Sequence, residues 1–374
     1  MTIQSIPLSQ PEIDENDILA VNSVLKTPFL SLGPKQTQFE EAFARYLNVN
    51  HCQAVSSGTA ALHLILSALD IKDGDEVITS PFSFIASANS ILFNRALPVF
   101  CDIDAESFNL DIEKIESKIT DKTKAILAVD VFGFPMDMEK LKNLADKYKL
   151  RLIEDACEAL GAKRGEINAG SYADAAAFGF YPNKQMTTGE GGIVASNNET
   201  LVLKVKSLKN QGRSLEDNSL FVELGYNYRL SDINCALGLT QLDKINKMHE
   251  KRDIAADYYQ QLLAEVEEII PPYAEENVKR SWFVYVIELK KPCSAKKRDF
   301  IMKYLQANEI GCGKYFPAIH LQPFYTERFG YKEGDFPICE SLAQRTIALP
   351  FFANMTWAQQ KRVVDVLKEA LSRA

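Results

Sequence analysis

From about residue 50 to residue 200, short apolar runs alternate with amphipathic stretches. In one of these stretches Leu62, Ile65, Leu66 and Leu69 recur at i, i+3, i+4 and i+7, which predicts a helix. The apolar runs predict strands and read HCQAVSS, DEVITS, KAILAVDV, LRLIED, AAAFGF and GGIVAS. Strands separated by helices form βαβ units, so we expect an α/β fold whose mainly parallel mixed sheet lies between helices.

The pattern changes after about residue 245. A long helix (INKMHEKRDIAADYYQQLLAEV) precedes a strand (SWFVYVIEL) and a helix (RDFIMKYLQAN) that places Phe300, Ile301, Tyr304 and Leu305 on one face. Thr356 and Gln359 have the spacing of a capping box and predict the start of a final helix. We therefore predict a large domain at residues 1–245, including an N-terminal arm, and a smaller α+β domain at residues 246–374.

Composition and charge narrow the classes of function. The chain has 374 residues, 46% hydrophobic and 25% charged, as in ordinary globular proteins. Its net charge of −8 disfavours nucleic acid as the main partner. Seven cysteines without a CxxC pair indicate reduced thiols and a cytoplasmic protein, and four histidines without ligand spacing predict no metal site. We expect no signal peptide and no membrane span, since no run of 18 apolar residues occurs.

Ligands of parallel sheets gather at the carboxyl ends of the strands. Four segments follow predicted strands: Ser56–Thr59, Pro81–Phe84, Asp155–Glu158 and Phe180–Lys184. Ser57, Gly58 and Thr59 lie where a strand passes into a helix, and backbone amides and the helix dipole favour an anion there. An ordinary helix N-cap explains the same three residues.

Asp155, Phe84 and Lys184 each have two interpretations. The carboxylate of Asp155 ends an apolar strand, where it pairs with a cationic ligand nitrogen or caps the next helix. The ring of Phe84 stacks on a flat heterocycle or belongs to the core. Lys184, within GFYPNKQMTTGEGG, is a solvated surface charge or a partly buried, nucleophilic amine beside a tight glycine turn.

Together these residues match the needs of pyridoxal 5'-phosphate (PLP). Its phosphate requires an anion site, its ring nitrogen a carboxylate, its ring face an aromatic partner and its aldehyde an amine. The order of the four segments along one chain makes PLP the predicted cofactor.

The sequence resembles the DegT–DnrJ–StrS sugar aminotransferases, a branch of the fold-type I PLP enzymes, over nearly its whole length. The resemblance rests on SSGTAALHL, ITSPFSFIASANSI, FCDID, IEDACEALGA, KQMTTGEGG, GYNYRLSDINCALGLTQL and YFPAIHLQPFY. It implies transfer of an amino group, from L-glutamate, to a nucleotide-linked keto-sugar. A PLP-dependent sugar dehydratase and a non-catalytic regulatory or binding protein of the same fold stay open as alternatives.

The resemblance also implies roles for particular residues. Lys184 resembles the lysine that binds the cofactor and transfers the proton, and Asp155 the carboxylate that pairs with the ring nitrogen. Asn227 resembles an asparagine that reaches the cofactor phosphate of a neighbouring subunit, which implies a homodimer with shared active sites. The remaining matches place Phe84 on the ring, Gly58 and Thr59 at the phosphate, and Arg229, Tyr315 and His320 in the sugar-nucleotide and amino-donor pocket.

Two cofactor-binding positions depart from the family pattern. Gly179 stands where many relatives have a serine that binds the phosphate, and Glu158 stands where a histidine or glutamine is common. The first change removes a hydroxyl, and the second places an acid near the cofactor's ring hydroxyl.

Overall fold

A seven-stranded sheet forms the centre of the large part of the chain. The computed structural model describes residues 5–374, so the first four residues of the predicted large domain, and the predicted absence of a signal peptide over them, lie outside it. The strands are β1 His51–Val55, β2 Glu76–Thr79, β3 Leu97–Phe100, β4 Thr123–Val129, β5 Arg151–Asp155, β6 Lys163–Arg164, β7 Ile167–Asn168, β8 Ala175–Gly179, β9 Gly192–Ser196, β10 Ile269–Ile270, β11 Val278–Lys279, β12 Tyr285–Leu289 and β13 Thr346–Leu349.

Helices lie on both faces of this sheet and in the C-terminal part. They are α1 Glu15–Leu25, α2 Pro34–Leu47, α3 Gly58–Ala68, α4 Ala86–Phe93, α5 Ile112–Ile115, α6 Met138–Tyr148, α7 Glu199–Leu208, α8 Asp232–Asp243, α9 Ile245–Leu263, α10 Ala295–Ala307, α11 Pro323–Phe329, α12 Pro337–Ala343 and α13 Trp357–Arg373. Short 3₁₀ turns lie at Glu116–Lys118, Val131–Gly133 and Ile319–Leu321.

The large sheet has the strand order β1-β9-β8-β5-β4-β2-β3. Strands β8, β5, β4, β2 and β3 pair in parallel, whereas β9 is antiparallel to both β1 and β8. Along β8, Ala177 packs towards α3 and Phe178 packs towards α2, because successive side chains of a strand point to opposite faces. Both faces are therefore buried, and the predicted α/β class with a mainly parallel mixed sheet is confirmed.

The C-terminal part forms a smaller α+β unit around the sheet β10-β12-β13. Its core joins Tyr259 of α9, Tyr285 of β12 and Leu367 of α13. Ile6 of the N-terminal arm is buried in this same core, and its amide donates to the backbone carbonyl of Glu309. The arm thus packs against the C-terminal unit, although it precedes the large sheet in the chain.

The capping box predicted for α13 is present, whereas the predicted face of α10 differs from the structure at one residue. Thr356 and Gln359 form the predicted capping box at the start of α13. In α10, Ile301 and Leu305 are buried, but Phe300 is exposed and contacts Tyr304 at the edge of the buried stripe.

Among residues 5–374, no helix combines the length and the apolar character that a bilayer crossing requires.

Candidate active site

A cavity of about 560 Å³ opens where β4, β5 and β8 end. All four segments that follow predicted strands contribute to its lining. The lining residues are Ser57, Gly58, Thr59, Leu62, Phe84, Ala86, Ser87, Val129, Asp155, Cys157, Glu158, Gly179, Phe180, Tyr181, Asn183, Lys184, Glu190, Gly191, Phe283, Lys314, Tyr315, Phe316 and Pro317.

Asp155 is the carboxylate at the base of the cavity. It is the last residue of β5 and is 6% exposed. The Ser87 hydroxyl donates to Asp155 Oδ2 at 2.7 Å, and the amide of Cys157 donates to Oδ1 at 3.2 Å. The carboxylate therefore has fixed donors within the protein while it faces the cavity.

The first turn of α3 forms another wall. Ser57 is the N-cap of α3 and accepts a hydrogen bond from the amide of Ala60 at 3.0 Å. The first intrahelical bond runs from Ala61 to Ser57, so the amides of Gly58 and Thr59 precede the helical ladder. The ordinary capping role is therefore present, and it leaves the amides of Gly58 and Thr59 without helical partners, as binding of an anion would require.

Lys184 follows β8 in a turn that begins at Phe180. Its side chain is 14% exposed, and Nζ lies 3.5 Å from Glu158 Oε1 and 4.0 Å from the ring centroid of Phe283. The chain then returns as β9, where a Cβ at Gly192 would lie 2.5 Å from the Ser57 carbonyl. Only glycine allows this close approach, which keeps the lysine turn against the start of α3.

Glu158 is a buried acid beside the amine. Burial raises the pKa of Glu158, and the charge of Lys184 acts in the opposite direction. Its Oε2 accepts from the amide of Phe132 at 2.9 Å.

Burial also raises the pKa of the Cys157 thiol well above its ordinary value, which keeps this cysteine from acting as a nucleophile.

Aromatic residues form a further part of the cavity lining. Phe84 is 60% exposed, so its ring is not part of the core. Tyr315 stacks on Phe283 with ring centroids 6.2 Å apart, and its hydroxyl lies 3.5 Å from Asn183 Nδ2. Asn183 Oδ1 is buried and has no hydrogen-bond partner among residues 5–374.

Three residues named by the resemblance lie outside this cavity. Asn227 is exposed, and Arg229 donates to Asn210 Oδ1 at 2.9 Å. His320 is fully buried, with Nε2 3.0 Å from Glu340 Oε1 and its ring against Phe336. A single chain therefore does not bring these three side chains to Lys184.

Comparisons with known proteins agree with this geometry. The model of the DegT/DnrJ/EryC1/StrS aminotransferase family matches residues 11–368. The chain belongs to the DegT/DnrJ/EryC1/StrS aminotransferase family. It is 36% identical to GDP-perosamine synthase of Vibrio cholerae over 97% of this chain and 98% of the relative.

Solved structures show the same fold. PseC of Helicobacter pylori, an aminotransferase involved in the biosynthesis of pseudoaminic acid, aligns with a TM-score of 0.93 at 28% identity, over 99% of this chain and 100% of PseC. The PLP form of Spr1654 from Streptococcus pneumoniae aligns with a TM-score of 0.94 at 26% identity, over 99% of both chains. The family and the PLP form of this neighbour identify PLP as the cofactor, and the predicted aminotransferase class is confirmed.

The residues of this DegT-family chain fit PLP. The amides at Gly58 and Thr59 suit its phosphate, Asp155 suits its ring nitrogen and Lys184 suits its aldehyde. A Cβ at Gly58 would lie 2.7 Å from Cys157 Sγ, so a larger residue would fill the space beside the first turn of α3. Lys184 and Asp155 line the same cavity as that turn.

Ser87, Phe283 and Lys314 are among the cavity residues to which the sequence analysis gave no role. Ser87 lies in the first turn of α4 and is hidden among other small residues of that helix, although its hydroxyl donates to Asp155. Phe283 and Lys314 come from the C-terminal part of the chain. Only the three-dimensional packing of that part over the sheet brings them into the cavity that contains Lys184.

Ser87→Ala is expected to lower kcat/KM about 10- to 150-fold, since a hydrogen bond to a charged group contributes about 1.5–3 kcal/mol. The loss leaves Asp155 Oδ2 without its donor and loosens the carboxylate. Steady-state kinetics with a melting temperature checks the effect. Ser90→Ala is the control, because Ser90 is equally buried on α4 but donates only to the Ser87 carbonyl. An equal loss in both variants would contradict the role of Ser87.

Gly179→Ser is expected to fold and to bind PLP about two- to tenfold more tightly, since one added hydrogen bond contributes about 0.5–1.5 kcal/mol. A Cβ at Gly179 meets its nearest neighbour, Cys157 Sγ, at an ordinary 3.5 Å. Gly58→Ser, whose Cβ would lie 2.7 Å from the same sulfur, is expected to weaken binding. Equilibrium titration of the apoproteins with PLP measures both, and weaker binding by Gly179→Ser would show that no hydroxyl is missing there.

Proposed function

We propose that this protein transfers an amino group from L-glutamate to a nucleotide-linked keto-sugar. The observation that supports it best is the meeting of Lys184, Asp155 and the first turn of α3 in one cavity. Sugar dehydratases of this fold have histidine in place of the lysine, so Lys184 favours the aminotransferase.

Each group of the cavity has a part in the proposed reaction. Bound PLP supplies an aldehyde that condenses with amines and a protonated ring that accepts the electron pair left by proton removal. The Asp155 carboxylate keeps the proton on the ring nitrogen. The Lys184 amine removes the α-proton of the amino acid and returns a proton to the carbon that receives the nitrogen. Glu158, 3.5 Å from Nζ, orients the amine between these transfers.

Two polar residues that line the cavity, Lys314 and Asn183, support the proposal of a large anionic substrate. Lys314 lines the cavity beside Tyr315 and is half exposed; its ammonium group pairs with the Asp299 carboxylate at 3.0 Å, and a diphosphate bound there would compete for it. The unpartnered Oδ1 of Asn183 offers an acceptor to a sugar hydroxyl. The name GDP-perosamine synthase, borne by a 36% identical relative, is in keeping with a nucleotide-linked sugar.

A homodimer with shared sites is part of the proposal. Leu220, Phe221, Val222 and Leu224 are exposed, and Leu224 reaches 84%. They immediately precede Asn227, which does not line the cavity of its own chain. An apolar surface of this kind is typical of an interface, and a partner placed there would supply Asn227 to the neighbouring cofactor phosphate.

We also propose a cytoplasmic location. All seven cysteines are free in the structure, as expected in a reducing compartment.

Purified protein loaded with PLP is expected to convert one member of a panel of nucleotide keto-sugars to its amino-sugar, with one 2-oxoglutarate formed for each glutamate consumed. Mass spectrometry identifies both products. Lys184→Ala is expected to keep its circular dichroism spectrum, to lose the visible absorbance that borohydride bleaches and to lose at least about 1,000-fold in turnover. These losses follow because the variant lacks the amine.

Other outcomes separate the alternatives. Wild-type turnover by Lys184→Ala would overturn the role of the lysine. A dehydrated sugar product without nitrogen, with ammonia released one for one with 2-oxoglutarate, would indicate a dehydratase, and bound PLP without any product from the panel would indicate a binding protein. Lys204→Ala is the matched control, because neither Lys204 nor its ion-pair partner Asp70 lines the cavity.

Mixing two inactive variants tests the shared site. Lys184→Ala and Asn227→Ala are each expected to be inactive as homodimers, whereas a refolded equimolar mixture is expected to recover about a quarter of wild-type activity. Half of the dimers are then mixed, and each mixed dimer has one site with both residues. Recovery is measured against total protein. A mixture as inactive as its components would show that Asn227 does not serve the neighbouring subunit.

A further inference from the structure

A second cavity, of about 320 Å³, lies outside the active site. It shares no lining residue with the cavity that contains Lys184. Its lining is mostly polar or basic and contains no carboxylate. The lining residues are Tyr46, Leu47, Gly161, Lys163, Asn168, Asn246, His249 and Lys279.

A row of polar side chains crosses the small sheet β11-β6-β7 at this cavity. Lys279 of β11 is directly opposite Lys163 of β6, which is directly opposite Asn168 of β7. Residues opposite each other in an antiparallel pair project from the same face, and like charges in that position destabilise the sheet. The lysine pair therefore favours an anion between its two ammonium groups.

Neither lysine has an ion-pair partner within the part of the chain that the structure describes, since no carboxylate lies within 4.0 Å of either Nζ. Asp253 interacts electrostatically with Lys279: burial raises the pKa of Asp253, while Lys279 acts to lower it. Both lysines are exposed, and without an ion pair in the described chain they leave the cavity lining with positive charge.

His249 adds a buried, unpartnered polar atom to the same cavity. The residue is 5% exposed, and Nε2 has no hydrogen-bond partner among residues 5–374. Its ring packs against Gly161, where a Cβ would lie 2.4 Å from Nε2. Burial, together with Lys279 and Arg252, lowers the pKa of His249 to about 3, so the ring is neutral in the absence of an anion.

The other polar groups are placed to donate. Asn246 lies in the first turn of α9, a 19-residue helix whose N-terminal end favours negative charge. Asn168 Nδ2 donates one N–H to the Leu47 carbonyl at 3.2 Å, which leaves the second N–H of this amide for a ligand. Lysines, amides and an imidazole around a space without carboxylates suit an oxyanion with several acceptor oxygens.

We propose that this second cavity binds a phosphate group, with Lys163 and Lys279 on two sides of it and His249 at its buried end. A phosphate is small enough to lie between paired lysines and has enough oxygens for several donors at once. The remaining volume has room for a small organic group beside Tyr46. The proposal is independent of the proposed function, because it uses no residue of the active-site cavity.

Isothermal titration calorimetry with the PLP-loaded protein tests it, since the cofactor then fills the phosphate site at α3. Inorganic phosphate and glucose 6-phosphate are the two probes. The wild type is expected to bind at least one of them, and the double variant Lys163→Gln/Lys279→Gln to bind it about 10- to 100-fold more weakly, because two charges are lost. Tighter binding of glucose 6-phosphate would identify an organic phosphate, and equal binding would identify a site for the free ion.

The control is Lys290→Gln/Lys332→Gln, which removes the same charge from exposed lysines without ion pairs in the described chain. This control is expected to bind the phosphate probes like the wild type.

In phosphate-free buffer, the Lys163→Gln/Lys279→Gln variant is expected to keep its aminotransferase activity and to melt no lower than the wild type, since it loses the repulsion between the two lysines. Equal binding by both double variants, no binding by the wild type at millimolar phosphate, or a lower melting temperature without anion would overturn the proposal.

Discussion

A carboxylate buried at the end of a parallel strand is the constraint on which the site depends. Leaving such a group in the protein without donors is costly, and the Ser87 hydroxyl and the amide of Cys157 compensate the Asp155 carboxylate on β5. Because α3 and the Lys184 turn follow strands that end at the same edge of the sheet, they meet around this carboxylate. The position of the Asp155 carboxylate thereby determines where a ligand that contacts β5, α3 and the Lys184 turn has to lie.

Two further buried acids, Glu154 and Asp130, affect the electrostatics around Asp155. Glu154, the preceding residue of β5, points to the opposite face and accepts from the amide of Gly170 at 2.8 Å. Burial raises its pKa to about 7, and burial together with Glu154 raises the pKa of the fully buried Asp130. A proton retained by this pair reduces the negative charge near Asp155. Two acids after this strand end then line the cavity: Asp155 itself, and Glu158 beside the Lys184 amine.

Much of the fold and of the site could be predicted from the sequence, because both follow from local patterns. Apolar runs separated by amphipathic stretches defined the sheet, and parallel strands bring their carboxyl ends together whatever the intervening helices contain. Ser57, Phe84, Asp155 and Lys184 therefore shared a predicted edge before any contact was known. The direction of β9 was not predictable, since GGIVAS has the same pattern in parallel and antiparallel pairing.

The contacts that local patterns missed join distant parts of the chain. Phe283 lies 4.0 Å from the Lys184 amine, although 98 residues separate them. Nothing in a single helix or strand encodes that approach; it follows from packing the C-terminal unit over the sheet. Phe84, in contrast, belongs to a segment that the sequence analysis named, but only the structure shows that its ring is 60% exposed where it lines the cavity. A ring that belonged to the core could not stack on a ligand, so this exposure is what the proposed stacking role of Phe84 requires.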